Sequence, residues 1–313
     1  MSRNRVYGLT VRQWLTLLAV IFAVIVLGCR FCYTSVEKYV SPTNSNETAV
    51  ENKNAGKKRT PSRTSPSTSL SIEQATERYL RLGNPSAANN SDPNNFLMVN
   101  PAYAVSYNRS RGTANWVAWT ITRADIGDAE RSNDFRPNPD LPKSFPRITP
   151  SDYTGSGFDR GHLCPSKDRS NAPDANSRTF LMTNIVPQAP DSNQGVWKNL
   201  EDYSRDLVFE GNDVYVIAGV TGERGRLKNK ITIPATTWKI IVVLPENFDS
   251  VSDLKANAQV IAVDIPNQNG IKNDDWRKYR VTVRQIEQKT GLNLFAALPP
   301  NIQEPLKTKM DGK

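Results

Sequence analysis

Hydrophobic and polar positions follow two different periods along the chain. From Val196 to Phe209, "VWKNLEDYSRDLVF", apolar Val196, Leu200, Tyr203 and Leu207 recur at i, i+4, i+7 and i+11, the buried stripe of a helix. Glu201 and Arg205 lie one turn apart beside that stripe, as a surface ion pair would, and Asn193 stands just ahead of the first turn, where asparagine commonly caps a helix. "SIEQATERYLRLG", Ser71 to Gly83, combines a Ser N-cap, helical apolar spacing and a Gly stop, so it predicts an opening helix. Four short β-branched or aromatic runs predict strands: "NWVAWTIT" (115–122), "DVYVIAGV" (213–220), "WKIIVVLP" (238–245) and "VIAVDIP" (260–266). Asn-, Asp-, Pro- and Gly-rich segments separate them, with no fixed-period repeat and no regular strand–helix alternation. The pattern predicts an α+β fold with a mixed, mainly antiparallel sheet core.

Ahead of this domain the pattern changes. Arg3, Arg5 and Arg12 precede the apolar run "WLTLLAVIFAVIVLGC", Trp14 to Cys29, the positive-then-apolar order of a signal peptide or membrane anchor. At 16 residues the run is longer than the core of a cleaved signal and shorter than the roughly 20 residues of a secure span. "VLGC" also resembles a lipoprotein box that would put a lipid on Cys29, although Leu27 is bulky for it. On each reading the body of the protein is exported, to the periplasm or the outside, tethered to the membrane if residues 14–29 are retained. "SPTNSNETAVENKNAGKKRTPSRTSPSTSL", 41–70, has no aromatic residue and too little apolar surface to fold. The expected organisation is a leader or anchor over 1–33, a disordered tether over 34–70 and one globular domain over 71–313.

The formal charge of +9 changes meaning once it is placed. Residues 1–70 hold ten Lys/Arg against three Glu, so of 40 basic and 31 acidic residues the remainder of the chain keeps 30 and 28. The domain is nearly neutral, and the basic balance is no argument for a polyanionic substrate. Cys29 and Cys32 lie at the apolar segment, a weak place for a redox or metal C-x-x-C, which leaves Cys164 alone in the domain and excludes a disulfide within it.

Histidine usage is more informative, because His162, in "GFDRGHLCPSKDRS", is the only imidazole in 313 residues. One imidazole excludes an H-E-x-x-H zinc site and two-histidine acid–base nuclease chemistry. The G-x-S-x-G nucleophile elbow and the G-x-x-x-x-G-K-[ST] phosphate loop are both absent. A Cys164 nucleophile with His162 as base stays formally open, although neighbours two apart on a strand are poorly placed for that hydrogen bond and a buried apolar thiol fits better. The remaining chemistry is one neutral imidazole acting as base beside a hard metal ion, with Asp159, Asn193 and Glu201 supplying oxygen atoms.

"DRGHLCPSKDRS" followed by "TFLMTNIVPQAPDSNQGVWKNLEDYSRDL" closely resembles the DNA/RNA non-specific endonuclease family, the ββα-metal or His-metal finger nucleases, and particularly its secreted cyanobacterial type. The likeness includes D-R-G-H at 159–162, T-N-I-x-P-Q at 183–188, N-x-x-x-W at 193–197 and L-E at 200–201, in family order. With "NWVAWTI" and "AERSNDFRP" upstream it spans roughly residues 75–300. Cys164 departs from the Ala usual there, a small change.

The resemblance implies a ββα-metal finger: a strand over Asp159 to Leu163, a second around Phe180 to Ile185, and the helix from Val196. It implies a metal-dependent, sequence-non-specific endonuclease that hydrolyses phosphodiester bonds in single- and double-stranded DNA and RNA, leaving 5′-phosphate and 3′-hydroxyl ends. His162 would be the general base, its pKa near the ordinary value of about 6.5. Asn193 would ligate Mg²⁺ directly and Glu201 would hold metal-bound water, with Mn²⁺ able to substitute. Arg160, Arg131 and Arg205 would surround the phosphate. Asp159 would orient Asn193 or the metal waters, and Asn184 would position the second finger strand. A protein inhibitor, as in some relatives, and the membrane are expected partners. The alternative is a catalytically inactive nucleic-acid-binding or membrane-tethered interaction protein.

Overall fold

A computed structural model of the chain describes residues 70–311. The expectations for the leader over 1–33 and, Leu70 apart, for the tether lie outside the described residues. No helix among the described residues is long and apolar enough to cross a membrane; the run from Trp14 to Cys29 is not among them.

Seven antiparallel strands form the central sheet in the order β1-β2-β3-β6-β9-β10-β11. Its members are β1 (Phe96–Asn100), β2 (Tyr103–Asn108), β3 (Thr113–Ile121), β6 (Asn212–Thr221), β9 (Thr236–Pro245), β10 (Val260–Pro266) and β11 (Arg280–Val281). The four expected strand runs are β3, β6, β9 and β10, in the middle of the sheet. Their sequences read as nearly continuous apolar stretches because both faces are covered, which removes the polar half of the usual alternation. β1 and β11 escape the pattern, being short and partly exposed, and β2, although buried, is broken by Ser106 and Asn108. Two further pairs stand apart from the sheet: β4 (Asp159–His162) with β5 (Ile185–Gln188), and β7 (Arg226–Leu227) with β8 (Ile231–Thr232).

The opening helix α1 (Ile72–Tyr79) starts as expected, with the Ser71 side chain accepting from Gln74 N and the Gln74 side chain accepting in return from Ser71 N. It ends four residues short of Gly83, whose φ of +112° belongs to the following turn. Thr120 and Tyr215 hydrogen-bond to carbonyls of Arg78 and Tyr79, so α1 covers one face of the sheet. Two short helices, α4 (Val283–Thr290) and α5 (Pro300–Thr308), close the C-terminal end.

The opposite face carries Val117 and Trp119 of β3, Ala218 of β6 and Lys239 of β9, placed together by the registers Val117↔Ala218 and Ala218↔Lys239. On it rests the finger. A short helix α2 (Pro173–Arg178) lies between β4 and β5, and α3 (Lys198–Phe209) follows β5 through a π-helical turn, Ser192–Trp197. Val196, Leu200 and Leu207 are buried and Tyr203 is half-buried, as the stripe requires. The expected second finger strand is displaced: Met182–Asn184 form a 3₁₀ turn and pairing starts at Ile185. The strand spans Pro187 because β5 pairs on one edge only, where a missing amide donor is tolerated.

Candidate active site

β4 is four residues long and carries the whole D-R-G-H motif. Arg160 and His162, two apart, share a face of the strand, and both reach the ring of Phe135. The Arg160 guanidinium lies 4.5 Å from that ring's centroid, and the imidazole 5.5 Å from it. Phe180 meets the imidazole edge-on at 4.8 Å, and Arg131 stacks on Phe180 at 4.8 Å. The imidazole is thus walled by two phenyl rings, each carrying a guanidinium. Arg131 is further fixed by donating to Ser166 Oγ at 2.7 Å and to Asn133 Oδ1 at 2.9 Å.

His162 is 8% exposed, and its Nε2 is buried without a hydrogen-bond partner among the described residues. An orphaned imidazole nitrogen is costly in a core, and such groups concentrate at functional sites. Burial first, and then the charge of Arg131, push its pKa from 6.5 down to about 3. This corrects the expectation of an ordinary imidazole: the ring is neutral for a stronger reason than the pH alone. Cys164 is fully buried and burial holds its thiol far above the usual range, so the thiolate of a cysteine nucleophile is suppressed.

Asp159 reaches the opposite element. Its Oδ2 accepts from Asn193 Nδ2 at 2.9 Å and from Gln194 Nε2 at 2.8 Å. A carboxylate only accepts, so it fixes the amide of Asn193 with nitrogen toward β4 and oxygen away. No described group donates to that oxygen. Asn193 sits inside the π turn, and its side chain makes no cap bond, which removes the helix-cap reading. The turn also depends on Gly195: a Cβ there would lie 2.2 Å from the carbonyl oxygen of Lys272. The segment after β10, which carries Lys272, also holds the approach to the turn. Asn267 accepts from Ala189 N at 2.7 Å and donates to the carbonyls of Pro187 (2.9 Å) and Pro234 (3.0 Å), while Asp191 accepts from Gly270 N at 2.7 Å.

Asn184 belongs to the 3₁₀ turn rather than to a strand, yet it positions the finger. Fully buried, it accepts from Cys164 N at 2.9 Å and donates to the carbonyls of Cys164 and Thr179 at 2.8 Å each, which ties the exit of β4 to the approach of β5.

Beneath the helix lies a polar network with no linear signature. Lys239, 1% exposed, places Nζ 3.7 Å from Glu201 Oε1 and 4.0 Å from the centroid of the Trp197 ring. Trp197 in turn donates to the His162 carbonyl at 3.2 Å. Burial raises the Glu201 carboxyl to about 7 against the pull of Lys239, and burial lowers the Lys239 ammonium against the pull of Glu201. Each charge is opposed by burial and favoured by the other. Arg205 is not the surface partner of Glu201. It is 7% exposed and donates to Asp168 Oδ1 at 2.7 Å and Asp202 Oδ1 at 2.5 Å, and Asp168 also accepts from Trp119 Nε1 at 2.9 Å. Its guanidinium forks are committed to carboxylates, so of the three expected arginines only Arg131 and Arg160 flank the imidazole.

Among the described residues no three His, Cys, Asp or Glu side chains cluster as a multidentate metal site. The donors on hand are the free amide oxygen of Asn193 and the carboxylate of Glu201. Hard, few and oxygen-only, they fit a hydrated Mg²⁺ or Mn²⁺ and not a thiolate- or imidazole-seeking metal. Phe135, Phe180, Ser166, Asp168, Lys239 and Asn267 were not legible in the sequence, since each acts through partners distant along the chain.

Residues 84–301 match the DNA/RNA non-specific endonuclease family. A nuclease of Nostoc sp. is 48% identical over 237 residues, covering 75% of this chain and 86% of its own length. A nuclease of Serratia marcescens is 34% identical over 226 residues, covering 69% of this chain and 80% of its own. The crystal structure of an EndoG/EndoGI complex superposes with a TM-score of 0.62 at 21% identity, over 74% of this chain and 95% of that one, a likeness of fold. The chain belongs to the DNA/RNA non-specific endonuclease family.

Proposed function

We propose that this chain is a metal-dependent endonuclease that hydrolyses phosphodiester bonds in DNA and RNA without base preference. The observation that carries the reading is the walled, neutral imidazole of His162 between two guanidiniums. A phosphodiester held by Arg131 and Arg160 brings its anion to the imidazole. That anion offsets the repulsion from Arg131, so bound substrate raises the proton affinity of His162 when a base is needed. His162 then takes the proton of the attacking water. Contacts of this kind read phosphate rather than base edges, which accounts for low sequence preference.

Asn193 would hold Mg²⁺ through the oxygen that Asp159 leaves free, and Glu201 would hold water on it. The ion supplies Lewis acidity toward the developing charge on phosphorus and the leaving oxygen. As the water oxygen bonds to phosphorus the P–O3′ bond breaks, and the 3′ oxygen takes a proton from a water molecule, which gives 5′-phosphate and 3′-hydroxyl ends. Mn²⁺, with the same preference for oxygen donors, would substitute. Export and membrane tethering by residues 14–29, and a protein inhibitor, belong to the same proposal. EndoG is bound by EndoGI in the matched structure.

Nicking of supercoiled plasmid in Mg²⁺, its loss in EDTA and its return with Mg²⁺ or Mn²⁺ test the reading. End-labelling of the products tests the end chemistry. Retained nucleic-acid binding with no nicking in either metal would replace the enzyme by the inactive binding protein. Fractionation of cells that express the full chain tests export.

A further inference from the structure

Only two large apolar side chains among the described residues are left largely in solvent, Ile72 and Phe209, and Phe209 is the more exposed at 57%. It is the last residue of α3, one turn or about 6 Å beyond Arg205 on the same side of the helix. Its ring lines a cavity of about 430 Å³ together with Arg131, Lys167, Arg205 and the exposed carboxylate of Asp128. One wall of the cavity, Arg131, leads toward the imidazole, because it also stacks on Phe180, the ring that meets His162. The Arg123 guanidinium lies 5.3 Å from the Phe209 ring centroid. Lys167 is exposed and makes no ion pair among the described residues.

An exposed phenyl ring at the rim of a cleft where Arg131 and Lys167 are free of carboxylates among the described residues, Arg205 is already paired with Asp168 and Asp202, and Asp128 is the one acidic side chain suits a ligand that is anionic along its length and flat along its side. A strand of nucleic acid is such a ligand, since every base has a π-face and every linkage a charge. We infer that Phe209 is a stacking platform for a nucleobase of the strand being cut, beyond the phosphate held at Arg131, while Lys167 meets the backbone between them. This rests on the nuclease reading above and adds a preference to it. In a duplex each base is already stacked and paired, so the platform acts on single strands, frayed ends and loops. The preference is for strand state and not for sequence.

The test uses the full chain in EDTA, where no cleavage is expected, with fluorescein-labelled 12-nucleotide single-stranded DNA and the same sequence as a duplex. Phe209→Ala lowers affinity for the single strand by about tenfold and shifts the ratio of single-strand to duplex affinity at least about fivefold. Phe209→Trp restores the ratio and Phe209→Leu does not, because leucine replaces the apolar area without the π-face. Equal losses for both oligonucleotides, no loss, or full rescue by leucine each overturn the platform. Absence of binding to either oligonucleotide by the unsubstituted protein overturns it too. Plasmid nicking in Mg²⁺ is scored separately: nicking with an unaltered ratio in Phe209→Ala removes the platform alone, and a binding shift without nicking removes the enzyme reading alone.

Discussion

Lys239 Nζ lies 3.7 Å from Glu201 Oε1 in a site where Lys239 is 1% exposed. Two buried opposite charges of this kind add little net stability as a pair, whereas removing one strands the other. Lys239→Met is therefore expected to cost about 3 kcal/mol, and Lys239→Met combined with Glu201→Gln to recover much of it. Activity recovers in neither. Denaturant unfolding of the two single variants and the double decides the matter: additive losses would mean that the two side chains do not depend on each other.

The hold of Asp159 on the Asn193 amide predicts a metal effect without a folding effect. Asp159→Asn frees the amide to rotate, and the Mg²⁺ needed for half-maximal rate should rise about 10- to 100-fold. Asn193→Ala should raise it further. A helix cap would instead lose about 1 kcal/mol of stability with an unaltered metal requirement. Thermal melts and Mg²⁺ titrations on the same samples separate the two.

The single imidazole gives a direct reading of the site. Its pKa in the free protein should be found well below 6.5, toward about 3, and should rise when an oligonucleotide phosphorothioate binds. Between those pH values the unfolded chain carries a proton on His162 that the folded chain does not. The associated stability is fully present above pH 6.5 and is lost as the pH falls toward 3. In the histidine-labelled NMR spectrum the ring of the folded protein stays neutral at pH 5, and the acidic limb of kcat/KM that belongs to His162 lies below pH 6.5. Titration at or above 6.5 would falsify the burial argument.

Asn267→Ala removes three bonds to backbone groups, two at Pro187 and Ala189 on the approach to the π turn and one at Pro234 ahead of β9. Leaving these groups buried and unpaired should cost about 2 to 3 kcal/mol. It should also weaken metal binding, although Asn267 is no ligand. Unchanged Mg²⁺ affinity in a destabilised protein would limit the segment's role to stability.

What the sequence made legible was whatever depends on neighbours in the chain. "VYVIAGV" and "WKIIVVLP" announce central strands, and D-R-G-H with N-x-x-x-W announces the finger. The second finger strand was misplaced because "TFLMTNI" is apolar enough for a strand, whereas Asn184 turns the chain by bonding back to Cys164 and Thr179. Arg205 looked like a partner for Glu201 four residues away, but Asp168, 37 residues distant, claims it. Lys239, amid "TWKIIVV", gives no hint of burial until α3 lays Glu201 over β9. The strength of the histidine shift was equally hidden, since Phe135 and Phe180 reach His162 from separate segments.

The close crossing at Gly195 limits how the finger can be moved by design. A graft of residues 159–209 onto a foreign sheet would transfer both strands, the motif and the helix. It would leave behind the Lys272 carbonyl against which Gly195 fits, and Asn267, which ties down the approach to the turn. The portable cassette is consequently two pieces of chain, with the loop after β10 as the second. A recipient lacking that loop would inherit the recognisable motif with a slack Asn193, and would read as a nuclease in sequence without being one in solution.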